Sequence, residues 1–214
     1  MKFVTYNSQC KLYNDSELFN FDLSNLDLIF LQRCHIKLAT ELERLFDFKK
    51  VWTSASNEIL DIGLCVLYKN KIDVLEHRVS VDIQSNDKNQ CNAYQEIKYN
   101  NITIVNFLGP YLPSTSILPY LNAVWSNNFD LAIGDTHFDF LSKNTKSLLN
   151  KKYEVINRKH NFINETSNLV LSWVIADTNK LSLVTENVQF NNNKRICHFP
   201  VFFELKNLND IQQS

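Results

Sequence analysis

Along the chain, short runs of Val, Ile, Leu and Phe alternate with clusters of Asn, Asp and Ser. Apolar runs of this length between turn-forming residues are the pattern of buried strands, whose successive side chains point to opposite faces. The pattern predicts strands at Lys2–Asn7, Asp27–Gln32, Gly63–Tyr68, Asp73–Val81, Gln95–Lys98, Ile102–Leu108, Leu131–Asp135, Leu169–Ala176 and Val201–Leu205. Two stretches carry helical spacing instead. Ile36–Asp47 has Leu38, Leu42, Leu45 and Phe46 on one face, and Ser116–Trp125 has Ile117, Tyr120, Leu121 and Val124. Strands outnumber helices, so the expected class is α+β with layered sheets. No repeat of fixed period and no Pro/Gly/Ser-rich linker divides the chain, so residues 1–214 read as one domain. The most loop-like patch, Asn191–Arg195, reads as a surface turn before the last strand.

Composition narrows the class without naming a chemistry. A chain of 214 residues, 44% hydrophobic and 21% charged, has enough apolar material for one well-buried core. Its net charge of −1, from 22 basic and 23 acidic side chains, lacks the positive excess of a non-specific nucleic-acid binder. Nucleic-acid binding would therefore need a local basic cleft. The opening MKFVTYNSQ alternates like a strand and does not read as a signal peptide, and no run approaches the roughly 20 apolar residues of a membrane span. Cys10, Cys34, Cys65, Cys91 and Cys197 form an odd set without zinc spacing, which favours free thiols in a reducing compartment. The expectation is an intracellular protein, cytoplasmic or nuclear, that is not secreted. Only 3 glycines beside abundant Asn, Lys, Ile and Phe suggest an AT-rich coding genome, as in a virus, an endosymbiont or a parasite.

Five segments carry a resemblance in their order and spacing. They are FVTYN ending at Asn7, LIFLQR ending at Arg33, IGLCVLY, LAIGDTH ending at His137, and ICHFPVFFEL from Ile196, with LVLSWVIAD at Leu169–Asp177 as a weaker sixth. Together they resemble the endonuclease/exonuclease/phosphatase family of metal-dependent phosphodiesterases, the DNase I-like proteins. The resemblance implies a four-layer α/β/β/α sandwich, two mixed sheets packed face to face with outer helices. GDT within GDTHFD, and NFINETSN at Asn161–Asn168, are similar to segments of the tyrosyl-DNA phosphodiesterase branch.

Phosphodiester hydrolysis needs a hard cation on the phosphate, a base for water, and donors for the charge that builds on phosphoryl oxygens. In that family a Glu after Leu-Gln anchors the metal, Gly-Asp-x-Asn positions nucleophile and phosphate, and Ser-Asp-His supplies an Asp and a His that a further Asp orients. On this pattern Asn7, Asp135 and His198 match. The departures are larger. Arg33 stands at the metal-anchoring Glu, His137 at the Asn of Gly-Asp-x-Asn, Ser172 at the His-orienting Asp, and Cys197 at the Asp before the His. A fixed cation at the metal anchor inverts the local charge, and Cys is a poor ligand for Mg²⁺. Strict register puts Leu108 where a phosphate-contacting side chain is expected, with Tyr111 of GPYLPST within reach.

These departures imply a pseudoenzyme that keeps the fold as a scaffold for a protein partner, with a nucleic acid or a phosphorylated ligand in the old cleft. No catalytic residue, metal or cofactor is assigned. Arg33, Tyr111, His137 and His198 are the candidate ligand-binding residues. The alternative is an active Mg²⁺- or Mn²⁺-dependent phosphodiesterase with a rearranged site of Asp135, His137 and His198; a third reading is a structural subunit of an assembly. Two roles stand open for Arg33: a phosphate clamp, or an ion-pair partner for Asp135 that fills the former metal site. The second predicts the guanidinium within hydrogen-bond reach of the Asp135 carboxylate.

Overall fold

The computed structural model describes residues 1–9, 17–54, 61–70, 72–78, 93–109, 124, 126, 128–135, 153–156, 162–163, 168–169, 172–188 and 197–208. Their strands are β1 (Lys2–Asn7), β2 (Leu28–His35), β3 (Lys49–Ser54), β4 (Ile62–Tyr68), β5 (Asp73–Arg78), β6 (Ala93–Tyr99), β7 (Ile102–Leu108), β8 (Leu131–Asp135), β9 (Tyr153–Val155), β10 (Phe162–Ile163), β11 (Asn168–Leu169), β12 (Ser172–Asp177), β13 (Leu181–Val188), β14 (Cys197–His198) and β15 (Val201–Asn207). One α-helix, α1 (Ile36–Phe46), and a 3₁₀ turn at Glu17–Asn20 complete the described elements.

Two six-stranded sheets, ordered β13-β15-β1-β2-β4-β3 and β5-β6-β7-β8-β12-β9, carry the architecture, with a three-stranded piece β11-β10-β14 beside them. Each large sheet is mixed, with one parallel pair: β1 with β2 in the first, β7 with β8 in the second. Counted from β13 in one and from β9 in the other, both sheets run antiparallel, antiparallel, parallel, antiparallel, antiparallel. The sequence has no repeat, yet its two sheets share one plan.

Period-2 alternation decides what lies between them. On the facing sides, Phe3, Leu28, Phe30, Ile102, Ile104, Leu131, Ile133, Val174 and Ala176 form one buried cluster. The same faces change character towards the C-terminal ends of the parallel pairs. β1 passes from Phe3 through Thr5 to Asn7, β2 from Phe30 to Gln32, β7 from Ile104 to Asn106, and β8 from Ile133 to Asp135, and every one of these residues is buried. The sandwich is therefore dry at one end and polar at the other.

On the outer side of the first sheet, Val4, Tyr6, Ile29, Leu31, Cys34, Cys65 and Leu67 pack beneath Leu38, Ala39 and Leu42 of α1. His35 caps this helix by accepting from the Lys37 N–H at 3.2 Å. It ends one residue before the predicted stop because Asp47 takes a left-handed conformation (φ 54°). The two-sheet sandwich is as expected, and among the described residues it carries a single α-helix, fewer than the outer helical layers the sequence suggested. The helix expected at Ser116–Trp125 lies, apart from Val124, outside the described residues.

Candidate functional site

The polar end of the sandwich brings three of the singled-out residues together. Asp135 closes β8 with its carboxylate fully buried, and Asn7 Nδ2 donates to its Oδ2 at 2.9 Å from the end of β1 in the other sheet. His198 Nδ1 lies 3.1 Å from the same oxygen, an ion pair when the imidazole is protonated, although the ring nitrogen is not aligned on it as in a hydrogen bond. A buried carboxylate without such neighbours would be costly, so both contacts help to hold the charge there. Asn7 is itself fixed, because its Oδ1 accepts from the Gln9 N–H at 3.0 Å. His198 was expected to have lost a carboxylate with the change at Ser172; in the structure Asp135 stands beside it.

Gly134 explains how Asp135 reaches this place. A Cβ at Gly134 would meet the Phe107 carbonyl oxygen at 2.2 Å and the Phe107 ring at 2.7 Å. Phe107 is the register partner of Gly134 in the parallel β7–β8 pair, so the glycine lets the ring close over the strand next to the site. Leu108 pairs with Asp135 across the same ladder, and Gly109 N–H donates to Asp135 O at 2.7 Å.

Beside this cluster runs a chain of buried side chains that the sequence reading missed. Thr5 Oγ1 donates to Gln32 Oε1 at 3.3 Å, and Gln32 Nε2 to Asn106 Oδ1 at 2.9 Å. Asn106 Nδ2 donates to Gln95 Oε1 at 2.9 Å and to Cys65 O at 3.3 Å. Gln95 Nε2 closes the chain on Thr53 Oγ1 at 3.0 Å and Val51 O at 3.2 Å. The chain crosses from the first sheet to the second at Gln32–Asn106 and back at Gln95–Thr53. The available signal was a polar residue at an inward strand position, since an amide buried between two sheets must find partners there.

Arg33 is where expectation and structure part. It lies at a β-bulge, where the β2–β4 register shifts between Leu31 and Cys34, and has a left-handed backbone (φ 47°). Its carbonyl accepts from Ser8 Oγ at 2.9 Å, which ties it to the end of β1 next to Asn7. Its side chain is half-buried and, among the described residues, makes no ion pair; the basic side chain at Asp135 is His198. The expected Arg33–Asp135 pair is therefore absent. Gln32 holds the inward position of β2, so regular alternation turns position 33 away from the facing sheet, and the register shift between Leu31 and Cys34 sets it apart from the ladder.

Ser172 pairs with Asp135 in the antiparallel β8–β12 ladder, and Cys197 and His198 form β14 against Ile163 and Phe162 of β10. The side chains of Ser172 and Cys197, and all of Tyr111 and His137, lie outside the described residues. Among the described residues, the donors that converge offer few ligands to a hard divalent cation. Asp135 is the one carboxylate in the described cluster and shares its Oδ2 with Asn7 and His198, while a guanidinium stands at the position of the expected anchor. Among the described residues no group of three or more His, Cys, Asp or Glu side chains could hold a metal ion.

No family model matches the sequence, and a search of curated proteins finds no match. Solved structures do match in fold. A conserved protein of unknown function from Enterococcus faecalis V583 superposes with a TM-score of 0.74 at 12% identity, covering 97% of this chain and 100% of that one. An endonuclease/exonuclease/phosphatase family protein from Leptotrichia buccalis C-1013-b gives 0.69 at 15%, covering 96% and 99%. D. rerio TDP2 carrying 14 humanising mutations gives 0.66 at 11%, covering 96% and 98%; D. rerio TDP2 has also been solved with a single-strand DNA product. At these identities the likeness is one of fold, and it extends over nearly the whole chain.

Proposed function

We propose that this chain, which has the endonuclease/exonuclease/phosphatase fold, is a catalytically silent member of that family that works by binding. It uses no metal or other cofactor. Its fold serves as a scaffold for a protein partner, and its old cleft takes a nucleic acid or a phosphorylated ligand. The observation that carries this reading is the state of Asp135: a single buried carboxylate, already engaged by Asn7 and His198, with Arg33 where a metal-anchoring acid is expected. A hard cation needs several oxygen donors, and an arginine in place of an acid supplies none. Protein of this fold solved with a DNA product supports nucleic acid as the kind of ligand to try first. The free, buried Cys34 and Cys65 fit an intracellular setting, and no described helix is long and apolar enough to cross a membrane.

The Asp135–His198 contact favours one competing reading, an active phosphodiesterase with a rearranged site of Asp135, His198 and His137. The two separate in one experiment. The purified chain is incubated with single-stranded, 5′-blocked and phosphotyrosyl DNA in millimolar Mg²⁺ or Mn²⁺, and its melting temperature is followed in the same buffers. The proposal expects no cleavage above buffer and no metal-dependent rise in melting temperature. Turnover that disappears in Asp135→Asn would establish the enzyme instead.

A further inference from the structure

We propose that a groove on the outer face of the first sheet is a binding site for a free amino acid with an apolar side chain, recognised as a zwitterion. The groove encloses about 410 Å³, and its lining includes Lys2, Phe21, Asp22, Asn187, Phe202 and Glu204. It is separate from the old cleft and does not depend on what that cleft binds. Lys2 opens β1 on the outer face, whereas Asn7 ends the same strand facing the other sheet, about 16 Å further on at roughly 3.3 Å per residue.

Shape is the first argument. α1 packs over β2, β3 and β4, which leaves the outer face of β15 and β13 to form the floor of the groove. The ladders set the lining side chains next to one another, Lys2 opposite Glu204 and Phe202 opposite Asn187. Phe21, just after the 3₁₀ turn, stands edge-on to Phe202 with ring centroids 5.4 Å apart and 70° between the planes, and the two half-buried rings make an apolar wall. The volume falls within the roughly 300–1,000 Å³ of sites that take small molecules, which favours a small ligand over a protein surface.

Charge is the second. Cross-strand partners such as Lys2 and Glu204 have Cβ atoms roughly 4.5–5.5 Å apart, close enough for an ion pair. Among the described residues, however, neither of these side chains, nor that of Asn187, has an ion-pair or hydrogen-bond partner. The other acid beside Lys2, Asp27, accepts from the Lys2 backbone N–H at 2.7 Å. Asp22 is exposed, and hydrogen bonds from the Ser24 hydroxyl and N–H hold its carboxyl below the usual carboxylate range. Unpaired charge alone is common on a surface; here one cation and two anions line a single concavity beside an aromatic wall. Two carboxylates disfavour a simple anion, and Lys2 disfavours a simple cation. An amino acid satisfies all three: its ammonium donates to Glu204 and Asp22, its carboxylate accepts from Lys2 and the Asn187 amide, and its side chain packs on Phe21 and Phe202.

Titration calorimetry on the full chain at neutral pH tests the site with four probes: L-phenylalanine, L-phenylalaninamide, N-acetyl-L-phenylalanine and glycine. The amide keeps only the positive end, as a peptide N-terminus does, and the acetyl compound keeps only the negative end, as a peptide C-terminus does. Glycine keeps both ends and lacks the side chain. We expect saturable binding of L-phenylalanine, with the other three weaker by roughly fivefold or more. Glu204→Gln should weaken L-phenylalanine by a similar factor and leave N-acetyl-L-phenylalanine unchanged, while Lys2→Gln should weaken L-phenylalanine and leave the amide unchanged. Both replacements keep side-chain length on an open face of the sheet, and Lys98→Gln in the second sheet serves as control. Absence of saturable L-phenylalanine binding, or glycine binding as tightly, overturns the inference. So does equal binding of the amide or the acetyl compound, which assigns a peptide end instead of a free amino acid. Affinity for L-phenylalanine that is unchanged in both groove variants, or lowered as much by Lys98→Gln, places the ligand elsewhere and overturns it too.

Discussion

Replacing Asn106 by leucine removes the hub of the buried amide chain while keeping a side chain branched at Cγ. Asn106 Oδ1 accepts from Gln32 Nε2 at 2.9 Å, and Nδ2 donates to Gln95 Oε1 at 2.9 Å and to Cys65 O at 3.3 Å. The substitution leaves one donor and one side-chain acceptor buried without those partners; the Cys65 bond is long and contributes less. At about 1–3 kcal/mol for each buried group left unsatisfied, the two good bonds predict a loss of about 2–6 kcal/mol. That is a large part of the roughly 5–15 kcal/mol that stabilises a typical domain. Urea unfolding followed by tryptophan fluorescence reads it directly, because Trp173 is fully buried in β12. Gln32→Leu should cost a similar amount by orphaning Asn106 Oδ1. The double variant should lose less than the sum, by roughly 0.5–3 kcal/mol, since an apolar pair no longer strands either amide. A loss below about 0.5 kcal/mol for Asn106→Leu, the level of an ordinary surface change, or strict additivity with Gln32→Leu, refutes the claim that this chain joins the sheets.

Gly134→Ala places a methyl against the Phe107 carbonyl and ring, and backbone cannot yield as a flexible side chain does. The expected loss is about 1–3 kcal/mol or more, read as a fall in melting temperature; an unchanged melt would mean that β7 and β8 are not packed this closely. Burial, and then the neighbouring Cys34 thiol, push the Cys65 thiol well above its ordinary value of 9.0, so the folded chain keeps this proton where the unfolded chain releases it. Stability from this group is complete below the unfolded pKa and is lost as pH rises towards the folded one, at up to about 1.4 kcal/mol per pH unit. The difference in unfolding free energy between wild type and Cys65→Val should accordingly shift in favour of the variant from pH 8 to 10, and a pH-independent difference would count against it.

The sandwich was legible in sequence wherever one face of a strand is buried and the other covered. β1, β7 and β8 start and stop where apolar alternation predicts. β13 was not legible: Leu181 and Val188 are buried at its ends, but the residues between are half-buried or exposed without alternation, and the strand is held by its ladder with β15. β3 was hidden by Lys49 and Lys50 on a sheet edge, where charge is tolerated. At the candidate site, type and order singled out Asn7, Asp135 and His198, which the structure brings together. Their convergence on one oxygen, like the pairing of Gln32 with Asn106, depends on contacts between sheets that no spacing along the chain encodes. Arg33 was misread for a related reason. A bulge carrying a left-handed residue is usually announced by Gly or Asn, and here the position holds an arginine.

The residues kept and the residues replaced differ in what the fold needs from them. Asn7 and Asp135 bridge the two sheets at a fully buried position, so losing either alone leaves an uncompensated polar group or charge inside the sandwich. Gln32 is constrained in the same way by Thr5 and Asn106. Position 33 sits outside that network, at a register shift that sets it apart from the ladder. On the proposed reading, a side chain there whose former task was to anchor a metal is released once the metal is given up. Selection for folding then preserves the amide and carboxylate contacts while leaving the bulge open to a new charge. A silent site in this fold is therefore expected to retain its inter-sheet polar bridges and to change first at the strand ends that project beyond them, which is the distribution of matches at Asn7 and Asp135 and of departure at Arg33.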